Sequence, residues 1–515
     1  MNHMRGSGQP DRLVVIGGGI SGLSSAFYLL REAEKRGRRI EITIIDPAEK
    51  LGGKINTLKR DDFVIERGPD SFLARKNAII DLAWDLGIEQ ELVGTNPAAK
   101  KTYILHLGKL HPMPTGLVLG IPTEISPFLK TDLVSWGGKL RALLDFVIPA
   151  RKDETDEALG DFLSRRLGDQ MMERVAEPLL AGIYAGDLRK LSLQATFPQF
   201  REAERRHRSL IRGMKANKRL APAVAAGASK LPAAVRGSMF LTFRGGLTTM
   251  IEALENALAG TERRVCTKVV AFRPNEPVAD EGSDAGQVGA TRMDTETGQT
   301  VDPSQAWAPY DVLLHTGEII QADGIIITAP AYDAVELLDP HLDTHALRAI
   351  RYVSVANVVM AFDKKDFGVE FDGSGFVIPR SEGTTITACT WTSAKWLHTS
   401  PGDKVLLRCY VGRSGDEEVV DLPESQLEDA VRRDIRDIMG ITAVPLFTEI
   451  TRLHKSMPQY PVGHVQQIAA LRARMSAKLP GVFVTGAAFD GVGLPDCIRQ
   501  GKEAAARVYE AISKF

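Results

Sequence analysis

Glycine-rich turns and the charged residues beside them carry the chemistry open to this sequence. The first lies in Leu13 to Gly22, LVVIGGGISG, where Gly17-x-Gly19-x-x-Gly22 follows an apolar run. Gly17 permits a tight exit from a strand, Gly19 lets the backbone approach a phosphate, and Gly22 lets a helix pack onto the strand. Gly18, Ile20 and Ser21 complete a loop whose free N–H groups and helix N-terminus favour a pyrophosphate. Leu23, Ala26, Phe27, Leu30 and Ala33 share one face of the helix that follows, and Ile40, Ile42 and Ile44 alternate along a second strand. Asp46 ends that strand where a carboxylate can accept from ribose hydroxyls. A glycine turn alone can be only a turn; with strand, helix and terminal acid it is a βαβ unit for a dinucleotide.

Two further turns narrow the dinucleotide. Lys50-Leu51-Gly52-Gly53-Lys54 is followed by Glu66-Arg67-Gly68-Pro69-Asp70-Ser71. A second glycine turn with a flanking cation fits FAD lying extended along the domain, although by itself it reads as a hairpin. Near the C-terminus, VFVTG is a buried strand, Gly491-Val492-Gly493-Leu494-Pro495 is a turn, and Ile498, Gly501, Ala505, Val508 and Ile512 form a helix face. The positive end of that helix would stabilise negative charge on a reduced flavin. No second βαβ fingerprint is present for a nicotinamide. Neither a Ser-His-Asp nor a paired-carboxylate constellation stands out, so no side chain is nominated for acid, base or nucleophilic catalysis, and no metal site is expected.

The elements that must position these groups follow in order. Lys101 to Pro149 is irregular and broken by prolines; Leu159 to Leu167 and Met172 to Ile183 are helical stripes, the second bent at Pro178. The basic run from Arg201 to Arg219 reads as a solvated helix face, or as a surface for anionic headgroups or a polycarboxylate. Arg264 to Phe272 is a short strand, 274–309 a surface loop, and Ala322 to Pro330 a buried strand returning to the first domain. Ser354 to Phe362, Thr384 to Trp391 and Lys404 to Val411 suggest an antiparallel sheet crossed by a helix at Leu427 to Met439.

At 515 residues, two or three domains are expected, and 44% hydrophobic with 25% charged residues is an ordinary globular balance. A net charge of −1 gives no global attraction to nucleic acid. The four cysteines, Cys266, Cys389, Cys409 and Cys497, are far apart and suit a reducing compartment. No apolar stretch reaches the roughly 18 residues of a membrane span, so a cytoplasmic protein is expected.

In one order, GGGISG, KLGGK, ERGPDSF, HPMP, GIYAGD, SMPQY and VTGAAFDGVGLPDCI strongly resemble the protoporphyrinogen oxidase family, and within it the coproporphyrinogen III oxidases of Gram-positive bacteria. A wider resemblance to flavin amine oxidases and phytoene desaturases covers only the FAD elements. The resemblance implies an α/β fold: a discontinuous, Rossmann-like FAD domain (12–98, 236–330, 451–515), an antiparallel-sheet substrate domain (331–450), and a helical insertion carrying part of the substrate domain (99–220). Residues 1–11 are a tail.

It assigns FAD contacts to Gly17 to Gly22, Asp46, Gly53, Lys54, Gly68, Pro69, Asp70, Ser71, Val269, Leu453, Val492, Gly493 and Leu494. Asp46 stands where Glu is common and Leu453 where relatives often carry Trp. No cysteine sits in the SMPQY region, so FAD is expected to be noncovalent. The implied reaction removes six electrons from a porphyrinogen in three hydride steps to the flavin, with molecular oxygen as final acceptor and peroxide as by-product. Arg75 and Lys76, then Arg67 and His454, are candidates to pair with the substrate carboxylates. Family members also sit on membranes or meet a downstream heme-pathway enzyme, which leaves a peripheral membrane position open. Two alternatives stand beside this reading: a flavin oxidase of amines or polyenes, and a flavin-bound heme-pathway partner without turnover.

Overall fold

The computed structural model describes residues 10–226, 230–275, 292–293, 300–301 and 309–512. Asp11–Ile16 is the centre of a five-stranded parallel sheet, with Ile40–Ile45 and Gly324–Ile327 beside it and Glu262–Arg264 and Val482–Val484 at the edges. The inner strands are short apolar runs covered on both faces, as a parallel sheet requires, while the edge strand Glu262–Arg264 is charged and mostly exposed. On one face lie the helices Ile20–Arg36 and Leu494–Ile512, sharing Leu23, Ala26, Phe27, Ile498, Ala505 and Val508. On the other, Val14, Ile16, Ile325 and Ile327 pack under a three-stranded antiparallel sheet and the helix Ala331–Leu338.

Two boundaries differ from expectation here. The first strand begins at Asp11, inside the expected tail, where the buried Asp11 carboxylate accepts from Arg38 at 2.8 Å. The expected strand from Arg264 to Phe272 is two: Glu262–Arg264 joins the parallel sheet, the chain turns at Cys266 (φ 51°), and Val269–Pro274 joins the three-stranded one. Most of the 274–309 loop lies outside the described residues.

The second sheet has seven strands, in the order Phe447–Gln459, Arg351–Asp363, Lys404–Val411, Ile386–Trp391, Gly373–Val377, Lys101–His106, Lys109–Pro112. Neighbours are antiparallel except Gly373–Val377 with Lys101–His106. The last pair is a hairpin turning at Leu107 and Gly108, both at positive φ, in a stretch expected to be irregular. Phe447–Gln459 starts before residue 451, so SMPQY begins on an edge of this sheet rather than within the parallel one. Val405, Leu407, Cys409 and Val411 face a core formed with Leu427, Val431 and Ile435 of the helix Glu424–Met439. The alternation therefore turns Arg408 and Tyr410 to the opposite face.

Helices between residues 125 and 226 cover that face around Phe162, Leu163, Leu167, Val175, Leu180 and Phe200. The helix expected to bend at Pro178 changes pitch earlier: Met172–Ala176 is a π-turn that leads into Glu177–Tyr184. Pro178 has no N–H and its ring crowds the carbonyl of Arg174, so the preceding turn widens. Part of the basic run is paired: Arg201 reaches Glu157 and Glu204, Arg205 and Arg206 reach Glu202, and Lys218 reaches Glu124.

Candidate active site

A continuous cavity of about 2800 Å³ lies between the parallel sheet, the polar face of the seven-stranded sheet and the helices. At its first end the glycine loops interlock. Gly17 has φ 107°, and a Cβ there would stand 2.5 Å from the Thr328 hydroxyl; on Gly22 it would stand 1.8 Å from the Gly17 carbonyl oxygen. The Gly52 N–H donates to the Gly18 carbonyl at 2.8 Å, and a Cβ on Gly53 would approach the Gly19 Cα at 3.1 Å. Asp46 is oriented by the N–H groups of Gly18 (2.6 Å) and Ala48 (2.8 Å), which occupy one position on each oxygen and leave others for ribose hydroxyls.

Farther in, Lys54 donates to the Ser456 carbonyl, and burial pushes its pKa down. The Ser456 hydroxyl is buried on the cavity wall and has no partner among the described residues. The Tyr460 hydroxyl donates to the Ala487 carbonyl (2.5 Å) and accepts from the Gly491 N–H (3.1 Å), fixing the turn before Leu494–Ile512. Val492, Gly493 and Leu494 line the cavity at that helix N-terminus. The glycine cradle, the oriented acid and the unpartnered Ser456 hydroxyl fit FAD stretched from Asp46 to Gly493.

Of the residues assigned to FAD, all but Gly18 and Gly22 line this cavity, Val269 and Leu453 included. The cations proposed for substrate carboxylates separate. Arg75 lines the cavity and is exposed. Lys76 also lines it, but its ammonium is joined to Asp496 in the first turn of the last helix. Arg67 and His454 do not line it: Arg67 is paired with Glu449 at 2.5 Å, and His454 is exposed beside Asp421 at 3.6 Å. Both are displaced for one reason: each is a neighbour along the chain of a lining residue, Gly68 or Leu453, and the chain turns it the other way.

Sequence reasoning missed the polar groups on the sheet face. Asn357 donates to the Arg67 carbonyl at 3.0 Å and Arg408 to the Gly68 carbonyl, so both hold the Gly68 to Ser71 segment against the sheet. Arg408 is 4% exposed, and its Nε and Nη1 have no partner among the described residues. Burial pushes the Asp70 carboxyl pKa up, but Lys395 and Arg408, with hydroxyls of Ser71 (2.8 Å) and Tyr410 (3.4 Å), hold it below the usual carboxylate range. Toward the helices, Arg380 donates to Glu177 at 2.7 Å, and burial and the neighbouring Arg380 push the Arg413 pKa down. A signal was present: Arg408 and Tyr410 recur at period two within the apolar LLRCYV run. Among the described residues, no group of His, Cys, Asp and Glu is arranged to hold a metal.

The chain matches the family model "Flavin containing amine oxidoreductase" over residues 20–509. It is 43% identical over 492 residues to the coproporphyrinogen III oxidase of Bacillus subtilis (strain 168), covering 96% of each chain. It is 41% identical over 500 residues to that of Staphylococcus aureus, covering 96% of this chain and 98% of the other. A solved structure from Exiguobacterium sp. 255-15 superposes with a TM-score of 0.80 at 34% identity, covering 98% of this chain and 100% of that one. With its glycine cradle, FAD-length cavity and whole-chain likeness, the chain belongs to the flavin-containing amine oxidoreductase family, on the branch of the coproporphyrinogen III oxidases.

Proposed function

We propose that this chain is an FAD-dependent oxidase that converts coproporphyrinogen III to coproporphyrin III in heme biosynthesis, with protoporphyrinogen IX as a second substrate and molecular oxygen as acceptor. The observation that carries this reading is the cavity itself. Its volume of about 2800 Å³ far exceeds the roughly 300–1,000 Å³ of a single-ligand pocket, and it joins the dinucleotide cradle to a wall bearing buried cations. FAD, when bound, supplies the acceptor for the hydride leaving a bridging carbon of the macrocycle. The chain's own residues do the holding. Asp46 and the glycine N–H groups fix one end of the cofactor. The Lys54 bond to Ser456 ties the second glycine turn to the edge strand of the substrate sheet, and Asn357 and Arg408 tie Gly68 to Ser71 to its centre. A macrocycle between these walls is oriented without a dedicated base, since its pyrrole N–H protons can leave to water as conjugation grows.

The test is an aerobic assay of both porphyrinogens on FAD-loaded protein, following porphyrin fluorescence and peroxide. Formation of both supports the proposal. Peroxide from an amine with no porphyrin formed would favour the amine oxidase alternative. A flavin that porphyrinogen never bleaches without oxygen would favour the non-catalytic one.

An association with lipid also has a specific support. Trp136, Leu140, Leu144 and Val147 are all exposed, at helical spacing along Trp136–Leu143 and the turn after it. No helix among the described residues is long and apolar enough to cross a membrane. The stripe fits a peripheral seat, which Trp136→Asp with Val147→Asp would weaken in vesicle co-sedimentation. Equal sedimentation of wild type and variant would remove this reading.

A further inference from the structure

We propose that Arg413 and Lys395 form a two-ended clamp for carboxylates on opposite sides of the substrate, and that this clamp favours a macrocycle with a carboxylate on every ring. The proposal rests on the porphyrinogen reading and names the residues that set its preference.

The argument begins with which cations the cavity leaves uncommitted. Several lining cations stand exposed at its mouth, and others already have a partner, as Lys76 has Asp496 and Arg380 has Glu177. Lys395 is part-buried with no ion pair to a described residue, and Arg413 has only a long one. The Lys395 ammonium lies over the rings of Phe240 (5.3 Å) and Trp396 (5.2 Å), with no hydrogen bond or ion pair to a described residue. Lys395 and Arg408 both act on the single Asp70 carboxylate. The Arg413 side chain is 11% exposed; it reaches only the half-exposed Asp416, at 3.6 Å, while the like-charged Arg380 beside it already holds Glu177. Part-buried cations with at most a distant partner are strong sites for a carboxylate.

Strand register sets the spacing. Ile386 pairs with Val411 and Trp391 with Leu407, so Arg413, just past Val411, and Lys395, just past Trp391, stand at opposite ends of one strand pair. At ~3.4 Å per residue the paired segment alone spans roughly 15 Å. Tyr410 and Thr390 lie between, on the cavity face. Coproporphyrinogen III carries one propionate on each of its four pyrroles, so either orientation offers carboxylates to both ends. Protoporphyrinogen IX carries two, on adjacent rings, and can engage only one end at a time.

The experiment measures KM and kcat for both porphyrinogens on FAD-loaded wild type, Arg413→Gln, Lys395→Gln and the double variant. In parallel, binding of coproporphyrin III and of protoporphyrin IX is followed by fluorescence quenching. Each single variant should raise KM and Kd for the tetracarboxylate about tenfold, with a much smaller change in kcat, and the double variant about a hundredfold. The dicarboxylate should lose less than about threefold in each single variant, because the other end still serves it. Arg413→Lys should recover most of the loss. Equal weakening of both ligands, or no change in either, overturns the clamp. The binding arm does not need turnover, so wild type that oxidises neither porphyrinogen would end the functional reading while the clamp was still judged. If the variants do not retain FAD, wild type is titrated with coproporphyrin III tetramethyl ester; binding as tight as that of the free acid overturns the proposal.

Discussion

Lys76 discriminates between two accounts of the same residue. Its place shortly after Gly68 suggests a substrate anchor, while the structure commits its ammonium to Asp496 at the start of the last helix. The magnitudes separate them. Removing a cation that directly holds a substrate carboxylate loses a charge-assisted hydrogen bond of about 1.5–3 kcal/mol, or roughly 10- to 150-fold in KM for coproporphyrinogen. The Lys76–Asp496 pair is 39% and 18% exposed, so screening limits it to about 1 kcal/mol or less, at most roughly fivefold. Its loss would act through Asp496, whose side chain borders Gly491 and Gly493 on the cavity wall. Lys76→Ala and Asp496→Asn should therefore speed FAD loss to a similar small extent, and the double variant should be no worse than either single one. Flavin fluorescence after dilution gives the release rate, and steady-state assays of both porphyrinogens give KM. A tenfold or greater KM rise for coproporphyrinogen alone in Lys76→Ala, absent from Asp496→Asn, would refute the structural account.

Three other outcomes follow from the geometry. Gly22→Ala places a methyl 1.8 Å from the Gly17 carbonyl oxygen, so the loop must open and the purified protein should lose its yellow colour on gel filtration; a variant as yellow as wild type would show that the loop yields cheaply. Burial raises the Glu66 carboxyl pKa from 4.5 to about 7, against hydrogen bonds from Leu247 N–H and the Thr57 hydroxyl. A folded pKa above the unfolded one gives stability that is full below about pH 4.5 and lost as pH rises through about 7, to an extent of about 3 kcal/mol. Urea midpoints should fall over that window in wild type and much less in Glu66→Gln; parallel curves would count against the assignment. Finally, Asp46→Ala frees the N–H groups of Gly18 and Ala48 and should weaken FAD at least tenfold, while Asp46→Asn, whose single amide oxygen can still accept from one of them, should lose less. Equal losses in the two variants would show that these bonds do not orient the loop.

What was legible in the sequence was whatever a local pattern dictates. The turn glycines, the alternating isoleucines and the 3.6-period faces of Ile20–Arg36 and Leu494–Ile512 each carry their reason within a few residues. Three of the seven strands of the second sheet were visible as β-branched runs, and a hairpin was not, because Leu107-Gly108 lacks the usual Asn-Gly or Asp-Gly turn. The substrate wall depends on register between segments far apart in the chain. Nothing near Arg413 announces Arg380, and nothing near Asp70 announces Lys395. Likewise, Arg67 turns to Glu449 and His454 to solvent beside Asp421, away from the cavity that Gly68 and Leu453 line. The cysteines give the same lesson: Cys389 and Cys409 seem unrelated in the chain, yet as cross-strand partners their sulfurs stand 3.7 Å apart.

The π-turn at Met172–Ala176 decides which face of the next helix forms the cavity wall. A π-turn holds one residue more than an α-helical turn, and that extra residue sets the angular phase of everything after it. Winding the same five residues as α-helix would rotate the following turns by about 100°. Glu177 would swing away from Arg380, and Leu180, Ile183 and Tyr184 would present a different face to the cavity. A substitution of Pro178 that let this turn close would thus exchange a whole set of wall residues in one step.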